Sequence, residues 1–439
     1  MSSLNIVQAQ LPAKVLVGYW QNWSTNLKLS QINSNYNVID LAFATTKGTT
    51  DHDMQFTLPG NYSKTAFLAD IDALHAAGKV VILSIGGAND PVFLDNNTEK
   101  TTFVNSILTI LSDYNYKIDG IDIDLETSSL NFGSSWTMTS PAVGQQNLIG
   151  AIQDIMSAYQ TQTGKKLLLT MAPETVYLMG ALSNYQITNL NGGAYLPIIE
   201  ALKNELDLLH CQYYNAGGAS GGTYARDGAI YYDTGDPDYV TAMTETVIKG
   251  FTLLNGKGIF SGIPANKVVF GLPANSCNAG GTGYVTPADV CNAAKYLRGI
   301  ISKPSGWAYV RTTTYPDLRG MMTWSINEDL DPCSGVYSFA NNFSCAFGSA
   351  VGTDEAEENI SLSIYPNPFN TNFTLKISEE IIISDVVMKI YDLYGKEVKI
   401  ISITGNETII ERNELKSGIY FYSIINDDRK IANGKLVLQ

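Results

Sequence analysis

Regularly spaced acidic residues mark residues 117–126, Lys-Ile-Asp-Gly-Ile-Asp-Ile-Asp-Leu-Glu, as a place where chemistry is possible. In an extended strand successive side chains point to opposite faces, so Asp122, Asp124 and Glu126 share one face and the apolar residues between them share the other. Carboxyl groups this close in a partly dehydrated site cannot all ionise cheaply, because each charge opposes the next. We therefore predict that Glu126 keeps its proton and acts as a general acid, while the acids before it orient the reaction. A surface acidic run or a calcium loop fits less well, because apolar residues are interleaved and loop glycines are absent.

Eight short β-branched segments supply the elements that must position these acids. Several of them are continuously apolar, which is typical of strands buried on both faces of a parallel sheet. Helical patterns lie between them, for example over 64–77 and 145–159. Eight strands with intervening helices predict an α/β protein with a (β/α)8 TIM barrel, whose active site lies at the carboxyl ends of the strands. The predicted strands are 15–19, 38–43, 80–84, 118–124, 167–171, 208–214, 268–272 and 321–324.

A change in composition near residue 350 divides the chain. All five Cys and all five Trp precede it, and the segment 351–359, Val-Gly-Thr-Asp-Glu-Ala-Glu-Glu-Asn, has the small and acidic character of a solvated linker. We predict a leader at 1–14, a catalytic barrel at 15–347, an acidic linker at 348–360 and a small all-β sandwich at 361–439. Residues 7–9 have the small-x-small pattern of a signal-peptide cleavage site, so the leader is interpreted as a signal-peptide remnant or, alternatively, as a short disordered segment.

Charge and hydropathy exclude several classes of partner. The chain has 28 Lys and Arg against 42 Asp and Glu, a net charge of −14. Nucleic acid is therefore not expected as a partner, because phosphate binding needs a basic face. No apolar run is long enough for a transmembrane helix. We expect a monomer that binds a neutral or cationic ligand.

The cysteines predict disulfides and not a metal site. Cys277 and Cys291 are near each other in sequence, as are Cys333 and Cys345, so two local bridges are the simplest expectation for an oxidising compartment. Cys211 lies in an apolar run and is expected to be a buried free thiol. Because there is no Cys-x-x-Cys spacing and the three histidines are scattered, we expect no zinc site.

The acidic strand and the segments around it resemble family 18 glycoside hydrolases of the bacterial chitinase type. The pattern Asp119-x-x-Asp122-x-Asp124-x-Glu126 carries most of the resemblance. Other motifs follow in family order, each where a strand is expected to reach the barrel mouth. They are 18–23 (Gly-Tyr-Trp-Gln-Asn-Trp), 84–87 (Ser-Ile-Gly-Gly), 171–174 (Met-Ala-Pro-Glu), 212–215 (Gln-Tyr-Tyr-Asn), 271–274 (Gly-Leu-Pro-Ala) and 322–327 (Met-Thr-Trp-Ser-Ile-Asn).

The resemblance implies a retaining mechanism in which the substrate supplies its own nucleophile. Glu126 would protonate the glycosidic oxygen and Asp124 would hold the acetamido N–H. Asp122 would be the buried partner of Asp124, held by Tyr19 and Ser84. Tyr214 would bond the acetamido oxygen, with Gln212 and Asn215 beside it. Trp324 would form the floor under the sugar, and Trp20 and Met171 are expected as further substrate-binding residues.

The implied substrate is chitin or its N-acetylglucosamine oligosaccharides, and no cofactor or metal is required. An endo-β-N-acetylglucosaminidase acting on glycoprotein glycans is the enzymatic alternative, and an inactive chitin-binding lectin on the same barrel is the alternative from another class. The presence of Glu126 argues against the lectin. For Trp23, Trp136 and Trp307 the sequence favours neither sugar stacking nor a place in the core.

Two departures from the family pattern concern the cleft. Glu328 follows Asn327 where relatives often carry an aromatic residue, which bears on the outer subsites. Only residues 274–319 separate the last two predicted strands, too few for the extra domain that deepens the cleft in some chitinases. We therefore predict an open groove and endo-type cleavage.

Residues 361–439 resemble the C-terminal sorting domains of the type IX secretion pathway. The resemblance rests on 364–369 (Ile-Tyr-Pro-Asn-Pro-Phe), 391–398, 415–420 and the end of the chain at 435–439. It implies contact with the secretion machinery, export to the outside, and removal of the domain or attachment to the surface. The alternative from the residues alone is a carbohydrate-binding β-sandwich, which the absence of Trp makes weaker.

Overall fold

The computed structural model describes residues 11–214, 223–225, 231–277, 283–331, 333, 335–348, 362–377, 386–392, 396–413, 415–426 and 429–438. The chain forms two compact units, residues 1–350 and 351–439. Residues 1–10 of the predicted leader and residues 349–360 of the predicted linker lie outside the described residues. No helix among the described residues is long and apolar enough to cross a membrane.

Eight parallel strands close into a barrel in the first unit, which confirms the predicted fold class. Each strand pairs with its neighbours in chain order, and the pairing of the first with both the second and the eighth closes the cylinder. The strands are β1 (Val15–Gln21), β2 (Val38–Thr46), β3 (Val80–Gly87), β4 (Gly120–Leu125), β5 (Leu168–Met171), β6 (Leu208–Gln212), β7 (Val268–Pro273) and β8 (Gly320–Trp324).

Helices cover the outside of the barrel and explain the apolar alternation of the strands. In β4 the outward residues Ile121 and Ile123 are fully buried in the layer between strands and helices. The helix α1 begins where the Ser63 side chain caps its first turn, and Gly78 just beyond it takes a left-handed φ of 72°. The helices are α1 (Lys64–Ala76), α2 (Asn97–Asp113), α3 (Val143–Thr163), α4 (Val176–Met179), α5 (Asn184–Leu190), α6 (Leu196–Leu202), α7 (Pro237–Lys249), α8 (Pro287–Arg298) and α9 (Ser338–Phe347).

The connections between strands are unequal in length. Between β1 and β2 the chain makes only a 3-10 turn at Leu29–Gln31, whereas three helices lie between β5 and β6. A short 3-10 turn at Ala265–Lys267 precedes β7. Between β7 and β8, the described residues contain the helix α8 and no additional sheet. The described residues between β7 and β8 therefore contain no extra domain, in agreement with the prediction made from the short length of this segment.

The described residues of the second unit form antiparallel strands in two sheets. One sheet has the order β9-β10-β13 and the other has the order β12-β11-β14-β15. Apolar side chains from both sheets, including Phe373, Ile410, Met388 and Leu436, form a common core. The strands are β9 (Leu362–Tyr365), β10 (Asn372–Ile377), β11 (Val386–Tyr391), β12 (Glu397–Ser402), β13 (Glu407–Glu411), β14 (Gly418–Asn426) and β15 (Arg429–Leu438).

The disulfides join different partners from those that sequence proximity suggested. Cys277 is bonded to Cys333 and Cys291 to Cys345, so both expected local pairs were wrong. The reason is that successive βα units lie side by side: Cys291 in α8 faces Cys345 in α9, while Cys277 and Cys333 both follow barrel strands. Cys211 is a buried free cysteine, as predicted.

Replacing Cys291 and Cys345 by Ser should lower the thermal stability of the first unit. The bridge spans 54 residues of sequence, and loop-closure entropy then gives about 4 kcal/mol of stabilisation. We expect a lower melting temperature in calorimetry under non-reducing conditions. The Cys211→Ser variant, which breaks no disulfide, serves as the comparison, and equal melting temperatures for wild type and the double variant would contradict a stabilising role.

Candidate active site

The acidic motif spans the whole of β4 and continues just past its end. Asp122 and Asp124 lie inside the barrel with at most 2% of their surface exposed. Glu126 follows in an extended conformation and is partly exposed at the mouth. Asp119 has a different place: its Oδ2 accepts a hydrogen bond from the Val81 amide and contacts His75 of α1 at 2.8 Å. It therefore anchors the start of the strand and does not belong to the site.

Asp122 is held by hydroxyl groups from three other strands of the barrel, β1, β3 and β5. Tyr19 and Ser84 donate to Oδ2 at 2.8 and 2.7 Å, and Thr170 donates to Oδ1 at 2.7 Å. The contacts expected from Tyr19 and Ser84 are present, and Thr170 is one that the sequence did not indicate. These donors suit a carboxylate that carries its charge.

Gln212 joins the next two acids at the carboxyl end of β6. Its Nε2 lies 2.8 Å from Asp124 Oδ1, 3.1 Å from Glu126 Oε1 and 2.9 Å from the Ala172 carbonyl. A primary amide has only two hydrogens, so they are shared among three acceptors. Gln212 therefore fixes the carboxyl groups of Asp124 and Glu126 at one place in the barrel mouth.

Burial and mutual repulsion raise the pKa values of these acids. Burial raises the pKa of Asp124 well above its usual range, and the charges of Glu126, Asp122 and Glu174 add to the effect. Burial also raises the pKa of Glu126, although the hydrogen bonds from Gln212 and with Asp124 lower it in part. Both acids therefore hold a proton more readily than a free carboxylic acid does, which favours general acid catalysis.

Glu174 and Tyr214 complete the polar part of the site. Glu174 is buried, and burial together with the charge of Glu126 raises its pKa to about 8. Tyr214 is also buried, and its pKa is raised by burial and by the charges of Asp124, Glu126 and Glu174. The Tyr214 side chain therefore lies in the field of the same carboxyl groups.

Stacked aromatic rings form one wall beside the acids. Trp324 at the end of β8 is parallel to Phe43 within 8°, with ring centroids 5.5 Å apart, and contacts Tyr19 at 5.6 Å. Trp23 stacks on both Phe43 and Trp324 at 6.0 Å and remains 55% exposed. Gly87 makes room for this wall, because a Cβ there would lie 2.7 Å from the Phe43 ring. A flat apolar surface of this kind can bind the face of a sugar ring.

Comparison with known proteins assigns this arrangement to a family. Residues 15–324 match the family model described as Glycosyl hydrolases family 18. The chain belongs to glycosyl hydrolases family 18. It is 32% identical over 95% of its length to Chitinase ChiA of Flavobacterium johnsoniae and 38% identical over 72% of its length to Chitinase Chi52 of Paenibacillus xylanexedens. The chain spans only 27% and 58% of the lengths of these two relatives.

A solved family 18 structure has the same fold. The chitinase from Chromobacterium violaceum superposes with a TM-score of 0.66 at 34% identity, covering 77% of this chain and 85% of that one. Residues 363–439 match a second family model, described as Secretion system C-terminal sorting domain. The protein is therefore secreted or attached to the cell surface.

Two residues predicted to bind substrate lie outside this family 18 site. Trp20 is fully buried against Tyr62 and Phe67, and its indole N–H donates to the Leu27 carbonyl. Met171 is fully buried in the same layer between strands and helices. Both predictions were wrong for one reason: each residue follows an inward-facing neighbour, Tyr19 or Thr170, and so points outward. Asn215 lies outside the described residues.

Other residues of the site were missed although the sequence contains them. The motif 171–174 contains Glu174 but does not indicate its role, and the sequence does not decide between sugar stacking and the core for Trp23. Alternation along β5 and β6 could have indicated Thr170 and His210 as inward-facing. Asp40, Asp122 and His210 come together inside the barrel, with one side-chain nitrogen or oxygen atom from each within 4.8 Å of the others. Because the three residues come from three different strands, their spacing in the sequence does not predict that they meet.

Proposed function

We propose that this protein is an extracellular, monomeric chitinase that hydrolyses β-1,4 linkages between N-acetylglucosamine units. The observation that carries the proposal is the hydrogen-bonded set of Asp124, Glu126 and Gln212 at the mouth of a family 18 barrel. The two relatives given above are both named chitinases. The aromatic wall beside the acids supports a substrate made of sugar rings.

The proposed reaction begins with proton transfer from Glu126 to the glycosidic oxygen. As the bond from that oxygen to the anomeric carbon breaks, the carbonyl oxygen of the substrate's own acetamido group forms a bond to the same carbon, giving an oxazolinium ion. Water then attacks the anomeric carbon and gives a proton back to Glu126. The products are two shorter sugars, and the enzyme returns to its starting state.

Three other side chains are assigned to the acetamido group and its charge. Asp124 accepts the acetamido N–H and offsets the positive charge that develops on the oxazolinium ring. Tyr214 donates to the acetamido oxygen, and Gln212 keeps Asp124 and Glu126 in place. Asp122 supports Asp124 from below. Trp324 forms the apolar floor under the reacting sugar.

The experiment that tests the function offers the full chain two substrates in parallel. We expect release of soluble N-acetylglucosamine oligosaccharides from colloidal chitin and no release of glycans from a high-mannose glycoprotein. Cleavage of the glycoprotein alone would establish the endo-β-N-acetylglucosaminidase alternative. Binding to chitin without any hydrolysis would establish the lectin alternative.

We also propose that cleavage is endo-type, because the described residues between β7 and β8 form no additional domain over the groove. Early digestion of long, soluble chitin derivatives should then reduce viscosity before much reducing sugar appears. Size analysis of the products should show a spread of lengths. Exclusive release of dimers from one chain end would contradict this expectation.

Trp23→Ala should weaken the binding of oligosaccharides and leave the chemical step intact. The ring is 55% exposed yet fixed by stacking on Phe43 and Trp324. A stacking interaction of about 1 kcal/mol corresponds to a roughly fivefold increase in KM with little change in kcat. Tyr185→Ala, which removes a 64% exposed ring from α5, is the matched control. An unchanged KM for the Trp23 variant on oligosaccharides of every length would show that the ring binds no sugar.

A further inference from the structure

Two buried titratable side chains, Asp40 and His210, face each other across the barrel beneath the acids of β4. Asp40 on β2 and His210 on β6 come from opposite sides of the cylinder, and neither is exposed at all. His210 Nδ1 is 3.4 Å from Asp40 Oδ2 and 4.0 Å from Asp122 Oδ1. Nothing in the reaction described above uses either residue.

The pair has no other polar partner within the described part of the chain. Both carboxylate oxygens of Asp40 and both ring nitrogens of His210 are buried without a hydrogen bond there. An isolated charge in such a place is costly, whereas two opposite charges at this distance stabilise each other. The separation of 3.4 Å exceeds that of a good hydrogen bond, so the contact is an ion pair in character.

Asp122 connects this pair to the catalytic groups. Its oxygens already accept bonds from Tyr19, Ser84 and Thr170, and His210 lies at its lower side, with Nδ1 4.0 Å from Oδ1. Asp124, the next inward residue of the same strand, has its pKa raised in part by the charges of Asp122 and Asp40. The charge state beneath Asp122 therefore affects how readily Asp124 ionises.

We propose that His210, positively charged and paired with Asp40, is a positioning residue that keeps Asp122 ionised, so that the proton shared in the site resides on Asp124 and Glu126. This inference rests on the proposed chitinase function for its catalytic consequence. The proposal itself concerns the protonation of His210, Asp122 and Asp124, which can be measured without substrate. A positive charge at this position lowers the free energy needed for Asp124 to become a carboxylate when positive charge develops on the sugar.

Burial and the neighbouring groups act in opposite directions on the pKa values of the pair. Burial alone would lower the pKa of His210, but the contact with Asp40 and the charges of Asp40 and Asp122 raise it above its ordinary value. Burial raises the pKa of Asp40 to about 7, against the opposing effect of His210. Among the described residues, the other titratable groups that interact electrostatically with Asp40 or Asp122 are Tyr19, Asp124, Tyr195 and Tyr214.

The first test observes His210 directly. The protein has three histidines, so the nitrogen NMR spectrum of the full chain labelled only in histidine has three imidazoles to follow. The His52→Asn and His75→Asn variants identify two of them and leave His210. We expect the His210 ring to stay doubly protonated at pH 7, above the titration of an ordinary histidine. A neutral His210 ring at pH 6 would overturn the proposal whether or not the protein cleaves chitin.

The second test measures the pH dependence of hydrolysis in His210→Asn. Without the positive charge, the pair Asp122 and Asp124 takes up a proton at higher pH. The acidic limb of the pH profile of kcat should therefore shift to higher pH by about one unit. We expect kcat to fall at least tenfold near that limb and KM to change less than twofold. His75→Asn, which removes a histidine paired with Asp119 outside the site, should leave the limb in place.

Two results of the second test would contradict the positioning role. A uniform loss of activity at every pH, with the acidic limb unmoved, would reduce His210 to a packing residue. About one equivalent of divalent metal retained per wild-type chain, and lost in His210→Asn, would show that the three residues bind a metal in place of the proton. Wild-type protein inactive on chitin would refute the proposed function and leave the NMR result to decide the charge of His210.

Discussion

Replacing Glu126 with Gln should reduce kcat for the hydrolysis of chitin oligosaccharides by roughly 10²–10⁴-fold, because general acid catalysis contributes about that much to the rate. The amide is nearly the same size and can remain within reach of Gln212, but it has no proton to give to the leaving oxygen. Substrate binding should persist, because Trp324 and the other groups of the site are unchanged. The measurement is kcat by reducing-end release, together with calorimetric binding of an oligosaccharide.

The Glu126 experiment needs a control for the substitution itself. Glu99→Gln changes a partly exposed carboxylate in the first turn of α2, on the outside of the barrel, and its turnover should equal that of wild type. Loss of binding in Glu126→Gln would indicate a disturbed site and not a missing acid. A turnover within tenfold of wild type would remove Glu126 from the mechanism.

Replacing Asp124 with Asn should lower kcat by about 10²–10³-fold, comparable to the loss of one group that stabilises a charged transition state. The Asn side chain can still accept a bond from Gln212, but it cannot balance positive charge on the sugar. KM should change little, because this interaction strengthens only as the reaction proceeds. Steady-state kinetics on an oligosaccharide of defined length separates the two constants.

Asp154→Asn is the matched control for Asp124. Asp154 is more than half exposed on α3, where it pairs with Lys100. We expect its kinetics to equal those of wild type. A rise in KM with unchanged kcat in Asp124→Asn would mean that Asp124 only binds the substrate.

The fold and the centre of the site follow from local sequence patterns. Each barrel strand is a run of apolar residues, and β4 alternates so strictly that the inward position of Asp122, Asp124 and Glu126 can be predicted from side-chain periodicity. The errors arise where that rule was not applied to neighbouring motifs. Trp20 and Met171 are next to inward residues and therefore face the helices.

Other features depend on which strands become neighbours in space. The bridges from Cys277 to Cys333 and from Cys291 to Cys345 join consecutive βα units, a relation that the closed barrel creates. The contact of Asp40 with His210 joins opposite strands and requires the barrel to close at its observed width. Spacing along the chain carries no information about such contacts.

The configuration of the newly formed reducing end tests the proposed reaction most directly. Attack by the acetamido oxygen and then by water inverts the anomeric carbon twice, so the product should at first have the same β configuration as the substrate. Proton NMR during the first minutes of chitin oligosaccharide hydrolysis distinguishes the two anomers before they interconvert. An initial excess of the β anomer is the predicted result, and an initial excess of the α anomer would show a single displacement by water and contradict the role given to the substrate's acetamido group.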